Sequence, residues 1–573
     1  MSAPLRIGNA SGFYGDRRSA VREMLEGGPL DVLTGDYLAE LTLLILGRDR
    51  AKDPARGYAR TFLAQMEECL GLAVDRGVRI VVNAGGLNPV GLADALRALA
   101  GRLGVAASVA YVEGDDLLPR AAELGLGTPL TANAYLGAFG IAECLRSGAD
   151  VVVTGRVTDA SLVVGPGIAR FGWGRDDLDA LAGAVVAGHV LECGAQATGG
   201  NLASFDEHPL ELLLHPGFPL AELSADGSAV ITKHPGSGGV VDRDTVTAQL
   251  LYEIGGPRYG GPDVVARFDT IELSDDGPDR VRISGVRGEP PPPDVKVCLN
   301  ALGGHRNEVT FVLTGDRIDE KAAFARAQFE SALPQRPAEL VWSVLGAENP
   351  DADTEAGASV LLRCQALDPA PDVVGRAFSG AAVEMALASY PGFHLTAPPG
   401  NGSPFGVYTA AFVPQTEVPH VAVLADGTRI DVPPPGTTQP LEPGVSRQSA
   451  SECQGTQRQS FRGPTRRAPL GAVARARSGD KGGTANVGLW ARTDEAAAWL
   501  AATLTPEKIR ELLPEAADLP VTVHALPNLR AVNVVIDGLL GRGVAASTRF
   551  DPQGKAVGEW LRGRTLDIPE ALL

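Results

Sequence analysis

The sequence predicts an α/β protein: an N-terminal domain built on a mostly parallel sheet, with an α+β continuation and a small C-terminal ferredoxin-like α+β domain. Two observations carry this. Six short apolar runs in the first 160 residues each end in a burst of small and polar residues, and helix-like segments separate most of them. After a stretch rich in Pro, Ser and Gln, the last hundred or so residues hold short strand-like runs around two helix-like segments. Strands buried on both faces read as short, continuous Val/Ile runs, which is the parallel-sheet signature.

The runs come in order. Residues 5–7 lead into Gly8, Asn9, Ser11, Asp16 and Arg17, and residues 31–33 into Thr34, Gly35, Asp36 and Tyr37. Residues 80–82 lead into Asn83, Gly85, Gly86 and Asn88, and residues 109–112 into Gly114, Asp115 and Asp116. A weaker run near Thr131 leads into Asn133 and Tyr135. Residues 151–153 lead into Thr154, Gly155, Arg156, Asp159 and Ser161. If the runs are parallel, these polar endings share one edge, where open parallel sheets bind ligands. Asn88-Pro89 marks the start of a helix over 90–103, and Asp176-Asp177 is placed to cap one over 178–189.

The main domain is expected over 1–430, with a sub-boundary near 205. Beyond it lie strand-like pieces at 229–232, 280–284, 295–299 and 309–313, and helices at 245–254 and 320–332. Residues 431–467, with a Pro run at 433–435, are expected to be a linker. Residues 468–573 read as strand (470–475), Gly-rich loop, strand (485–490), helix (494–513), strands (521–525, 531–536) and a helix near 551–562.

Composition bounds the function. At 573 residues, two to four domains are expected. The formal charge of −18 argues against a sequence-independent nucleic-acid binder, which needs a basic face. A local Arg cluster still suits an anionic substrate. No apolar run is long enough for a membrane span, the start lacks a signal-like apolar stretch, and the six cysteines are scattered with no Cys-x-x-Cys pair. A cytoplasmic protein without structural zinc, forming a homo-oligomer, is the expectation.

The segments that carry chemistry each admit a plainer alternative. The Gly8–Arg17 stretch suits backbone N–H donors around an anion, with Asn9, Ser11, Asp16 and Arg17 facing it, or is only a tight turn. It lacks the spacing of a Rossmann fingerprint or a Walker loop. Asn83, Gly85 and Gly86 suit oxyanion or phosphate donors, and Asn88 a ligand contact or a cap. Asp115 and Asp116 suit magnesium or sugar hydroxyls, or an N-cap before Leu117. Arg156 suits a carboxylate or phosphate clamp, with Asp159 as base or as its partner; a structural Arg–Asp pair is the alternative. Ser161 sits in no Gly-x-Ser-x-Gly context and is expected to bind rather than attack. Thr198, Gly199 and Asn201 suggest a ligand-facing turn after a helix that ends near His189. Lys233 and His234 end a strand and are the cation and imidazole chosen for acid–base work. Ser478, Asp480, Lys481 and Asn486, around three glycines, either reach the main site or hold two domains together. No cofactor is expected; magnesium at Asp36, Asp115 or Asp116 is the one metal these residues admit.

Several of these segments together resemble a known family. Residues 6–17, 30–40, 81–89, 133–140, 150–161 and 196–201 are similar to the acyclic terpene utilisation (AtuA) family. Residues 477–486 resemble the Arg-Ser-Gly-Asp-Lys-Gly signature of its C-terminal ferredoxin-fold domain. The resemblance covers about 4–430 and 468–573. It implies breakdown of acyclic terpenes such as citronellol and geraniol, through CoA thioesters and a biotin-dependent geranyl-CoA carboxylase, and transfers no mechanism.

Three functions follow as expectations. The first is a non-redox enzyme of lyase or hydratase type acting on a branched or isoprenoid carboxylate or acyl-CoA, since the edge offers cations, carboxylates and N–H donors. The second is a non-catalytic accessory subunit of an acyl-CoA carboxylase. The third and weakest is a nucleotide- or NAD-binding oxidoreductase. The expected partner is a small molecule, not nucleic acid or membrane.

Overall fold

The computed structural model describes residues 3–441 and 463–573. It is mixed α/β. The first half runs β1 (Leu5–Asn9), α1 (Ala20–Gly27), β2 (Val32–Gly35), α2 (Glu40–Lys52), α3 (Arg60–Asp75), β3 (Arg79–Val82), α4 (Pro89–Leu103), β4 (Val109–Glu113), β5 (Thr131–Ala134), α5 (Phe139–Arg146), β6 (Val151–Thr154), α6 (Ser161–Phe171) and α7 (Leu178–Leu191). It continues with α8 (Leu210–Leu213), β7 (Pro219–Leu223), β8 (Ala229–Lys233), α9 (Arg243–Leu250), β9 (Arg258–Gly260), β10 (Val265–Arg267), β11 (Glu272–Asp275), β12 (Val281–Ser284), β13 (Arg287–Glu289) and β14 (Asp294–Thr314).

The main sheet has the order β11-β12-β8-β7-β1-β2-β3-β6-β4, extended by β19 (Val421–Val423) and β20 (Arg429–Asp431). Strands β1, β2, β3, β6 and β4 are parallel. Alternation along β3 explains why. Ile80 and Val82 enter one hydrophobic core with α1, α3 and α4, while Val81 enters the other with α5, α6 and α7. A strand buried on both faces cannot expose a polar side without loss, so it is apolar throughout and short.

The chain forms two compact units: residues 1–300, 408–544 and 553–573 in one, residues 301–407 and 545–552 in the other. In the second unit the later part of β14 pairs antiparallel with β16 (Ser359–Asp368), and β16 with β15 (Glu339–Leu345). Phe311, Phe329 and Phe378 form its core with α10 (Ile318–Ala332), α11 (Pro371–Val374) and α12 (Arg376–Glu384). Here β14 also pairs with β17 (His394–Leu395); β18 (Ser403–Pro414) follows in the chain.

The C-terminal part opens with β21 (Thr465–Pro469), followed by the hairpin β22 (Arg475–Lys481) and β23 (Thr484–Trp490), then α13 (Asp494–Thr503), α14 (Pro506–Leu512), β24 (Val521–Leu526), β25 (Ala531–Ile536), α15 (Val557–Arg562) and β26 (Thr565–Pro569). Its sheet, β22-β23-β25-β24, is antiparallel.

Five readings change. The weak run at Thr131 is not part of the parallel sheet: β5 pairs antiparallel with the start of β14. A parallel strand is commonly reached through a crossover helix, and residues 114–130 between β4 and β5 hold no α-helix, only the 3-10 turn Leu118–Arg120. The runs at 295–299 and 309–313 belong to one strand, β14. Asp177 stands at the N-cap of α7, yet its carboxylate accepts from Gly174 N (2.7 Å) rather than from the helix. The Gly-rich loop is a hairpin with Lys481 opposite Thr484, so Gly482 and Gly483 alone make the turn, and residues 470–472 form a 3-10 turn. The helix expected over 494–513 breaks in two, because Thr505 caps α14 ahead of Pro506. The expected linker, 431–467, falls largely on residues 442–462, outside the described ones.

Candidate active site

The loop after β6 organises the carboxyl edge. Arg156 N donates to Asp115 Oδ2 (2.8 Å), and Asn133 Nδ2 donates to the same oxygen (2.8 Å), joining the ends of β6, β4 and β5. Gly155 is required here, because a Cβ would stand 2.3 Å from Asp115 Oδ1. Burial pushes the Asp115 carboxyl up to about 7, against the pull of its two hydrogen bonds.

The Arg156 side chain is 3% exposed. Its Nη2 donates to Asp159 Oδ1 (2.7 Å), its Nη1 donates to Leu38 O (3.1 Å), and its guanidinium lies over the Tyr135 ring, 4.1 Å from the centroid. Arg156 is thus already paired, as the structural alternative has it, although its Nε is buried without a partner. Asp36, at the end of β2, accepts from Asn83 Nδ2 (2.6 Å) and Leu38 N (3.0 Å). Burial raises Asp36 well above the ordinary carboxylate range, and the neighbouring Asp159 charge raises it further; Arg156 opposes both. Asp159 is raised as well, by burial first, and Arg156 pulls it down. Arg156 therefore pairs directly with Asp159, and both carboxyls are pushed toward the protonated form, Asp36 by burial and by the charge of Asp159.

Around this centre stand residues that the sequence did not mark. Glu40, opening α2, lies 3.7 Å from Lys296 Nζ on β14. Lys296 Nζ is 4.8 Å from the Tyr135 ring centroid and 5.5 Å from that of Tyr408. Burial lowers Lys296, with Lys481 and Arg156 adding to the shift, while Glu40 resists it. At the end of α7, His189 Nδ1 and Glu192 Oε1 are 3.1 Å apart, out of line for a hydrogen bond, and Tyr259 and Phe268 flank the imidazole. Burial raises Glu192, and His189 pulls it down. His189 was read as a helix end only. Lys296, Tyr408 and Tyr259 lie far along the chain on segments with no polar burst, so no local signal points to them.

The C-terminal hairpin docks on the main domain. Asn486 accepts from Glu253 N (2.7 Å) and donates to Leu251 O (3.0 Å). Arg477 donates to Gln196 Oε1 and to Asn201 O (3.3 Å), and its guanidinium covers the Tyr252 ring. Ser478 stays within its own module, accepting from Gly558 N (2.9 Å). Asp480 pairs with Lys555 (3.2 Å), and burial raises it to about 6. Lys481 Nζ donates to Glu253 O (3.1 Å) and lies 5.2 Å from the Tyr259 ring centroid. Arg477 and Asn486 hold the domains together, while Lys481 stands beside the charged cluster.

Other expected site residues are engaged elsewhere. Asn9 donates to Leu191 O (2.6 Å), closing the end of α7 rather than offering an oxyanion donor. In the Gly8–Arg17 loop, Asp16 accepts from Gly12 N (2.9 Å) and Arg17 N (2.7 Å), and Ser11 Oγ donates to Phe13 O (3.0 Å), so the loop spends these groups on itself. The Arg17 guanidinium pairs with Glu23 and covers Phe218. Tyr37 turns into the core, where its hydroxyl bonds Gln65 (2.6 Å). Gly85 lets two backbones meet, since a Cβ would stand 2.4 Å from Thr154 O; Gly86 N bonds Asn83 O (3.1 Å). Asn88 caps α4 through Gly91 N (2.9 Å). Asp116 caps Leu118 N (3.0 Å) and pairs with Arg50 (2.9 Å). Ser161 Oγ is paired with Thr158 Oγ1 (2.6 Å), Thr198 Oγ1 donates to Gly217 O (2.6 Å), and Gly199 ends a 3-10 turn with positive φ.

Lys233 pairs with Asp279 (3.1 Å), and His234 Nε2 meets Met24 O (3.0 Å) against Gly27 and Gly28; neither bonds to the Arg156 cluster. The acids proposed for magnesium have separate partners. Among the described residues no group of three or more His, Cys, Asp or Glu is placed to hold a metal ion, and no helix is long and apolar enough to cross a membrane.

Fold and site together define a class: an α/β protein with a charged cluster at the carboxyl edge of a parallel sheet and a small ferredoxin-like module docked beside it. The family model described as "Acyclic terpene utilisation family protein AtuA" matches residues 5–424, and that of the "AtuA ferredoxin-like domain" matches residues 468–567. The chain belongs to the AtuA family. No curated protein and no solved structure matches it.

Proposed function

We propose that this protein is an enzyme of branched or isoprenoid carboxylate or acyl-CoA metabolism, of lyase or hydratase type, working by proton transfer. One observation carries the reading: Arg156 pairs with Asp159 at 2.7 Å in a buried cluster where the nearby Asp36, hydrogen-bonded to Asn83 and Leu38 N, is pushed toward its protonated form by burial and by Asp159. An acid poised to give a proton beside a carboxylate poised to take one is what adding or removing water, or cleaving a bond α to a carbonyl, requires. Asp159 is the base, Asp36 the acid, and Arg156 holds the Asp159 carboxylate in place. The family's link to acyclic terpene utilisation supplies the substrate class.

The test is turnover of isoprenoid and branched acyl-CoA thioesters, with products identified by mass spectrometry. Asp159→Asn is expected to lose roughly a hundredfold or more in kcat while circular dichroism shows the variant folded at the assay temperature, although its melting temperature falls because Arg156 loses its charge partner. Full activity in that variant removes Asp159 from the chemistry.

One observation favours a second reading, an accessory subunit of an acyl-CoA carboxylase. Phe205, Leu210 and Leu214 are 60%, 63% and 61% exposed within one short stretch, as a partner-binding surface would be. Co-elution of the pure protein with a carboxylase, lost in Leu210→Ser, supports it; separate elution rejects it.

A further inference from the structure

We infer that Lys296 of the main domain and Lys481 of the C-terminal hairpin form one carboxylate-binding subsite, so that the small module completes the site of its own chain. This rests on the proposed function and deepens it: the substrate carries a free carboxylate at the end that meets these two ammonium groups.

Contacts link the two lysines. The hairpin turn at Gly482, held at φ +64, packs on Tyr408; a Cβ there would lie 2.9 Å from the ring. The same Tyr408 ring lies beside Lys296 Nζ, at 5.5 Å. Lys481 directly precedes that turn and lies over Tyr259, whose ring is 5.2 Å from that of His189. Its charge bears on Glu40, Lys296 and Asp159.

The two ammonium groups differ from their neighbours in pairing. Arg156 is balanced by Asp159, and Lys296 has Glu40. Lys481 has no carboxylate within ion-pair distance among the described residues; its ammonium is satisfied only by a backbone carbonyl. Lys296 makes no hydrogen bond to the described residues through its ammonium, although its side chain is only 21% exposed. Among the described residues Glu40 is the one carboxylate within ion-pair distance of either ammonium, while Asp480 and Glu253 are drawn to Lys555; tyrosine rings around the two lysines weaken competition from water. An anion placed between them gains two charge-assisted hydrogen bonds. The aromatic walls suit the apolar chain of a branched acid.

The probes are 3-methylbut-2-enoate and its primary amide, which share shape and differ in charge. Binding to the full-length protein is measured by isothermal titration. The wild type is expected to prefer the acid by on the order of tenfold or more, and Lys481→Met to lose most of that preference. Lys296→Arg is expected to retain it, because the charge remains, and Lys296→Met to lose it. Lys481 is on the surface, so its variant tests binding without disturbing the core. Equal affinity for acid and amide, no saturable binding of the acid, or an unchanged preference in Lys481→Met each overturns the inference. Failure of the wider reading looks different: acid binding and its dependence on Lys481 persist while no acyl-CoA thioester is turned over.

Discussion

The loops after β1 and β6 look alike on paper. Each holds glycine and hydroxyl residues, an arginine and an aspartate. Within the loop after β1, Asp16 closes onto Gly12 N and Arg17 N, and Arg17 reaches Glu23. The loop after β6 sends its groups across the sheet instead: Arg156 N to Asp115, its guanidinium to the chain after β2, and its face to Tyr135 beyond β5. A loop that satisfies its own donors has little left for a ligand. A loop that satisfies donors from several strands places charge where those strands meet.

The largest contrast is expected on removing each arginine. Arg156→Met breaks the buried pair with Asp159 and is expected to cost about 3–5 kcal/mol of stability, whereas Arg17→Met removes a partly exposed pair and costs about 1 kcal/mol or less. Urea unfolding of both variants checks this, and equal losses would break the comparison. Gly155→Ala drives a methyl group into Asp115 and is expected to cost roughly 1–3 kcal/mol by the same measurement.

Acidity separates the loops next. Asp115 has its folded-state value raised to about 7. The folded protein then binds more protons than the unfolded chain between the ordinary carboxylate range and about 7, so stability falls as pH rises through that window. The slope from one such group is at most about 1.4 kcal/mol per pH unit. Asp115→Asn is expected to flatten it. Some slope persists, since Asp36 and Asp159 shift the same way, whereas Glu40, which is lowered, acts only below the ordinary carboxylate range. An unchanged profile would show that Asp115 is ionised throughout.

The smallest effects belong to the groups away from the cluster. Asp16→Ala is expected to cost about 0.5–1.5 kcal/mol from its lost backbone hydrogen bonds. His234→Gln is expected to leave turnover of any accepted substrate intact while lowering the melting temperature, because His234 bonds only the end of α1. Loss of turnover in His234→Gln would restore it as an acid–base residue.

How much was legible follows from how local each signal is. The parallel strands were readable because burial on both faces writes itself into consecutive residues, as at Ile80, Val81 and Val82. The Arg156–Asp159 pair was readable because three residues separate its members. Asn9, Tyr37 and Asn88 misled for the same reason: a polar side chain at a strand end looks alike whether it meets a ligand, a helix end or a core glutamine. The pair of His189 and Glu192 was passed over because a histidine at the end of a helix has an ordinary explanation in the helix dipole.

By itself, then, the sequence determined most of the order of strands and helices, the parallel character of the central sheet and the family, and it offered the Arg156–Asp159 pairing as one of two readings. Periodicity, capping and short-range charge are properties of neighbouring residues. Only the tertiary structure decided that Asp36 feels the charges of both Arg156 and Asp159, that Lys296 stands on a distant strand beside Tyr135, and that Lys481 arrives from the other end of the chain. Those meetings depend on sheet order and on the docking of one module on another. Both are set by the sum of many long-range burials, which no single segment records.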